Sequence, residues 1–272
     1  MRSGTILLGW AAVALVGGAT AQAQQQKQEP QKVKRAAPTS ADWAVVAKLP
    51  DLTGVWEVAP PGRGGRGGAP RQRGVTGGAA APALTPEYAA KAQALVSQPK
   101  PEDNQSANCL PPGMPGIMGQ PYPIEILLTP GQVTVISEAY TQVRHIYTDG
   151  RPLPEDPDPT FYGTSIGHWE GDTLVVETVG FAQVPRGLSF PYSDKLQISE
   201  RFHLADPDTL AIETTITDPE ALKVPYSMGS RTYKRHRNWT IAEYICEENN
   251  RNFVDEKGKA GINLANPNAS PR

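Results

Sequence analysis

Five side chains in the second half of this 272-residue chain have the types and spacing for acid–base chemistry: Arg144, His145, Tyr147, Glu200 and Glu243. A strand sends alternate residues to opposite faces. Counted that way, Glu200 shares a face with Leu196, Ile198, Phe202 and Leu204, and Glu243 shares one with Trp239, Ile241 and Ile245. A carboxylate on an apolar face must find a partner or hold its proton more tightly, and the second outcome suits a general acid or base. The guanidinium of Arg144 can grip a carboxylate or an enolate oxygen through two parallel hydrogen bonds. His145 is the natural proton shuttle near neutral pH, and Tyr147 lies on its face of the strand. Arg144 and His145 are adjacent, so only one of them can face a barrel interior. The same pattern also fits ordinary cross-strand ion pairs of each Glu with Arg201, Arg144 or Arg231.

A second group is suited to holding a ligand. Glu138, on the strand before, could partner Arg144 or His145. Trp169 could wall a binding site, and Arg201 offers a further cation. Other candidates have plainer explanations. Glu170-Gly171-Asp172 is hairpin-turn chemistry. Residues 155–159 (EDPDP) form a stiff acidic loop that lacks the ligand number and spacing of a calcium loop. Ser165 sits in a Gly-x-Ser-x-Gly pattern, but a hairpin follows it where a nucleophile elbow needs a helix. The basic run 233–237 reads as a solvated strand end. No two histidines fall at zinc-ligand spacing. No metal and no cofactor are expected.

The elements that must position these residues are short strands. From residue 122 onward turn signals recur every ~8–12 residues with little helix between them, the pattern of an all-β sandwich or barrel. Strands are expected at 51–58, 124–128, 133–138, 142–147, 165–169, 173–179, 196–204, 210–217, 232–235 and 239–246. One helix is expected at about 86–96, capped by Thr85 with Pro86 in its first turn. Gly54-Val55-Trp56 in the first strand is similar to the opening of lipocalin-like barrels, where a Trp plugs one end.

The chain begins with Arg2 and an apolar run at 6–16 that is too short to cross a bilayer. Ala21-Gln22-Ala23 follows as a small-x-small site, so residues 1–23 read as a secretory signal peptide. Residues 24–50 read as a flexible lead, 51–250 as the barrel domain, 60–82 as a disordered Gly/Arg/Pro-rich insertion, and 251–272 as a polar tail. A net charge of −2 argues against a nucleic-acid partner, and no later run approaches the length of a membrane span. In an exported chain the two cysteines, Cys109 and Cys246, most simply form one disulfide.

Read together, CLPPGMPGIM from Cys109, RHIYTDGR from Arg144, GTSIGHWEGDTLVVETVGF from Gly163, ERF from Glu200 and CEEN from Cys246 resemble a family of exported bacterial proteins. The resemblance covers residues 108–250. It implies a lipocalin-like β-barrel and no established activity. Two functional classes follow from the residues. The first is an exported, cofactor-independent lyase, isomerase or hydrolase acting on a small organic molecule inside a single antiparallel barrel. The second is a periplasmic carrier of a small apolar ligand, in which the same polar groups only orient it. The enzyme requires Glu200, Glu243 and either Arg144 or His145 within about 5–8 Å of one another around one cavity.

Overall fold

The computed structural model describes residues 37–59, 75–76, 80–98, 105, 107–183, 188–246, 252–255 and 260–262. The expected signal peptide at 1–23, the first part of the lead, and residues 60–74 and 77–79 of the insertion lie outside these.

The alternating segments form a single closed β-barrel. Strands β1 (Gly54–Val58) and β2 (Val75–Thr76) come first. They are followed by β3 (Ile124–Thr129), β4 (Gln132–Ser137), β5 (Gln142–Tyr147), β6 (Thr164–Glu170), β7 (Thr173–Val179), β8 (Gln197–Asp206), β9 (Thr209–Thr217) and β10 (Tyr226–His236). From β3 to β10 each strand pairs with the next in sequence, and β1 closes the ring between β3 and β10, so nine strands make the wall. The short β2 adds to β10 through Arg231 and Ser230.

Turn chemistry accounts for the hairpins. Gly131 and Gly171 adopt positive φ of 70° and 58° in the β3–β4 and β6–β7 turns, where a side chain would be strained. One pair departs from the expected antiparallel pattern. β5 and β6 run parallel, with Ile146 opposite Ser165. The Pro/Asp-rich segment between them is long enough for the crossover that a parallel pair demands. Its Pro157 packs on Gly180, where an added Cβ would lie 2.6 Å from the proline ring.

The core fills the barrel. Trp56, Ile126, Ile146, Leu174, Phe202 and Ile216 are fully buried. At one end Trp56 donates its indole N–H to the Leu52 carbonyl at 2.9 Å. The guanidinium of Arg235 lies 4.4 Å from the centroid of its ring. Arg235 also donates to the Asp51 carboxylate at 2.8 Å, tying β10 to the approach of β1. The other end is closed by residues 113–120 of the Pro/Gly-rich segment. Met114 donates its backbone N–H to Phe161 at 2.9 Å, Ile117 and Met118 are buried, and the Tyr233 hydroxyl donates to the Met118 carbonyl at 2.5 Å.

Helix α2 (Pro86–Ser97) is the one expected, but Thr85 uses its hydroxyl on the Glu220 carbonyl at 2.8 Å and leaves the helix end without a side-chain cap. Helix α1 (Ser40–Val46) falls in the expected flexible lead. Thr39 and Asp42 cap it reciprocally, and this capping box stabilises a short helix. The expected polar tail contains a two-stranded ribbon, β11 (Asn252–Val254) with β12 (Ala260–Ile262).

The expected strand at 239–246 is absent; that segment is irregular. The free edge of β10 is already taken by β1, with Val55 opposite His236, so no strand edge remains for it. It is anchored instead by side chains. Glu138 accepts from the Ala242 backbone N–H at 2.8 Å, the Thr141 hydroxyl donates to the Tyr244 carbonyl at 3.1 Å, and the Tyr244 ring packs between Tyr122 and Tyr140. Cys246 is disulfide-bonded to Cys109, with Cα atoms 5.6 Å apart. Such a bond is favoured in an oxidising compartment. Among the described residues no helix is long and apolar enough to cross a membrane.

Candidate active site inside the barrel

Alternation on β8 holds. Leu196, Ile198, Glu200 and Phe202 all point inward and are at most 2% exposed, while Arg201 points out. Glu200 is therefore a carboxylate with no contact with water. On β5 the inward residue is Arg144, 3% exposed, beside Ile146. The two meet across the interior. Arg144 Nη2 donates to Glu200 Oε2 at 2.5 Å and to Thr178 Oγ1 at 2.9 Å, and Arg144 Nε donates to Ser165 Oγ at 3.1 Å. The Ser165 and Thr178 hydroxyls are 2.9 Å apart, and these residues face each other across β6 and β7. Register explains the convergence: Ser165 is opposite Thr178, Val176 is opposite Glu200, and Glu200 is opposite Thr214. Four adjacent strands and one ion pair thus build a polar belt in an apolar interior.

The belt is incompletely satisfied. Arg144 Nη1, Glu200 Oε1 and the Tyr162 hydroxyl are buried and have no hydrogen-bond partner among the described residues. Buried polar atoms without partners are uncommon and call for an explanation: strain, a catalytic role, or an ordered water or ion. Tyr162 stands just before β6, next to the Phe161 carbonyl that holds the plug. Burial pushes its hydroxyl well above the ordinary tyrosine range, the nearby Tyr140 adds to this, and the Arg144 charge opposes it in part. Tyr162 consequently keeps its proton at neutral pH and can serve as a hydrogen-bond donor. The cluster offers one open valence each from a carboxylate, a cation and a protonated phenol.

Beside the belt lies a shallow pocket between the plug and the wall, lined in part by Met118, Thr214, Met228, Arg231 and Tyr233. Its cavity volume is about 10 Å3, room for about one water. Thr214 joins the two regions, since it lines the pocket and is the cross-strand partner of Glu200. Tyr233 joins them as well. Burial raises its hydroxyl, and the charges of Arg231, Glu200 and Arg144 all reach it.

The remaining sequence candidates sit elsewhere. His145 faces outward and is exposed, with Nδ1 3.0 Å from the Gln132 amide nitrogen. Tyr147 is also on the outer face, under the Arg151 guanidinium at 3.9 Å. His145, with Tyr147 on its face, was the alternative to Arg144 for the interior, and alternation puts both outside once Arg144 points in. Glu243 is exposed on the irregular segment, because closure of the barrel by β1 leaves that segment outside the wall. The site expected from the sequence, which required Glu243 beside Glu200, is therefore not formed; of that set only Glu200 and Arg144 meet. Glu138 is occupied with the Ala242 amide. Trp169 packs its half-buried ring against the core, and Arg201 pairs outside with Glu170 at 2.9 Å. Sequence reasoning missed Tyr162, Ser165 and Thr178 as members of the cluster. The available signal was polarity on an otherwise apolar face, as with Thr178 beside Leu174 and Val176.

No protein-family model matches the chain, and no curated protein matches it.

Proposed function

We propose that this is an exported, cofactor-independent enzyme that performs proton transfer on a small organic molecule, in the manner of a lyase, isomerase or hydrolase. The observation that carries the proposal is the pair of open valences at Arg144 Nη1 and Glu200 Oε1 on one buried ion pair, with the buried Tyr162 hydroxyl, unpartnered among the described residues, within reach of the Arg144 charge. Glu200 is the general base, Arg144 the group that stabilises developing negative charge on oxygen, and the Tyr162 hydroxyl, in the place expected of Glu243, a hydrogen-bond donor. Ser165 and Thr178 hold the Arg144 fork in place. The substrate enters from the plugged end, beside Met118 and Arg231. The N-terminal apolar run and the Cys109–Cys246 disulfide support export, to the periplasm in a Gram-negative source. The resemblance to exported bacterial proteins extends the same proposal to that family.

The experiment incubates the purified, disulfide-bonded protein with pools of small organic metabolites in deuterated water and follows them by mass spectrometry. Turnover with deuterium incorporation, lost in Glu200→Gln and in Tyr162→Phe, is expected. Retention of a compound without chemical change refutes the enzyme and makes the barrel a carrier.

A further inference from the structure

The pocket beside the plug contains a cation without a partner among the described residues. Arg231 is half-buried on the inward face of β10, yet its guanidinium has no hydrogen bond or ion pair with any described residue. Every other arginine on β10 and β8 is engaged: Arg235 with Asp51, and Arg201 with Glu170. The head of Arg231 lies close against Gly119 of the plug. A Cβ on Gly119 would fall 2.0 Å from Nη1 and 2.8 Å from the central carbon, so only glycine leaves room for the guanidinium there. Around it stand Met118, Met228 and Ile212, with the Thr214 hydroxyl as a polar neighbour. A planar fork with free donors, set in a wall of thioether and aliphatic groups, matches a carboxylate carried on a compact apolar body.

We infer that Arg231 is the anchor for the carboxylate of a small organic acid, gripped at the mouth between β10 and the plug. The inference rests on the barrel being a small-molecule binder. It names the class of molecule and does not depend on the chemistry proposed for Glu200. One strand, β9, separates an acid held at Arg231 from Glu200 on β8; the pocket has room for about one water, so the carboxylate enters it and the apolar body lies over its mouth against the plug.

The test uses benzoate as a non-reacting probe, benzamide as its neutral counterpart and sulfate as a non-planar anion. Binding to the purified, disulfide-bonded protein is followed by calorimetry and by the methyl resonances of Met118 and Met228. Saturable benzoate binding that shifts both methyls is expected, with benzamide and sulfate weaker by about tenfold or more, the scale of one charge-assisted hydrogen bond. Arg231→Gln should lose the benzoate response by a similar factor. Gly119→Ala keeps the charge but displaces the guanidinium, and should weaken benzoate binding while leaving the unfolding midpoint close to wild type. Equal binding of benzamide, equal or tighter binding of sulfate, no methyl shift with benzoate, or unchanged affinity in Arg231→Gln each overturns the assignment. Benzoate binding without turnover of any metabolite would remove the enzyme and keep the anchor. Turnover with an unchanged KM in Arg231→Gln would do the reverse.

Discussion

The Arg144–Glu200 pair should be costly to break and inexpensive to replace. Both side chains are essentially out of water, at 3% and 0% exposure, and their contact is 2.5 Å. Each charge has lost its hydration, and each retains one unpartnered atom. Glu200→Leu leaves Arg144 charged among Ile146, Ser165 and Thr178. Arg144→Met leaves a carboxylate with no hydrogen-bond donor. Either single change should cost about 3–5 kcal/mol, the range for stranding a buried charge. For a domain of this size that lowers the unfolding midpoint by roughly 6–20 °C. The double variant Arg144→Met/Glu200→Leu strands no charge, fills a similar volume and leaves the Ser165 and Thr178 hydroxyls bonded to each other, so it should fold with stability well above either single and close to wild type. The exposed Arg201–Glu170 pair, 44% and 49% exposed, is the control, because surface pairs contribute about 0–1 kcal/mol. Urea melts followed by tryptophan fluorescence and far-ultraviolet circular dichroism measure all four. The reasoning is refuted if either buried single costs less than about 1 kcal/mol, or if the double variant costs the sum of the singles. A stable double variant that has lost turnover would separate the chemistry of the pair from its part in folding.

Three further outcomes follow from the same coordinates. Tyr162→Phe removes a buried hydroxyl that has no partner, so it should raise stability by up to about 1–3 kcal/mol while abolishing turnover; a drop in the urea midpoint would mean the hydroxyl is satisfied in solution. At Asp51 burial works against the charge, but hydrogen bonds from Thr53 and Arg235 outweigh it and hold the carboxyl below its usual value. A depressed acid stabilises above its unfolded value of about 3.9 and loses that contribution as pH falls through the folded one. Asp51→Asn should therefore lower the thermal midpoint modestly at pH 7, and the gap from wild type should close below about pH 4; a gap independent of pH refutes the linkage. The Cys109–Cys246 bond closes a loop with a sequence separation of 137, so the Cys109→Ser/Cys246→Ser variant should lose about 5 kcal/mol in the chain-entropy model. Matching urea midpoints with and without the bond would show that the 239–246 segment is held by Glu138, Thr141 and Tyr244 alone.

Several features were determined by the sequence itself because their causes are local. Period-two patterning identified the inward face of β8 and put Glu200 among Leu196, Ile198 and Phe202. The Pro and Gly turn signals placed the hairpins, and Thr85-Pro86 marked the start of α2. The cysteine count in a chain with an export-type leader pointed to one bridge. Alternation also stated that Arg144 and His145 face opposite ways, but it carried no sign, since nothing within β5 says which face is inside. Tertiary structure made that choice by pairing β5 with β4 and β6 around a core that already held Glu200. Barrel closure decided the rest. Once β1 occupied the edge of β10, Glu243 was left on an outer segment. The same closure, with a parallel step from β5 to β6, brought Ser165 and Thr178 to Arg144 and set Arg231 against Gly119. Those contacts join residues far apart in the chain, and no periodicity within one strand encodes the register between strands that never meet in sequence.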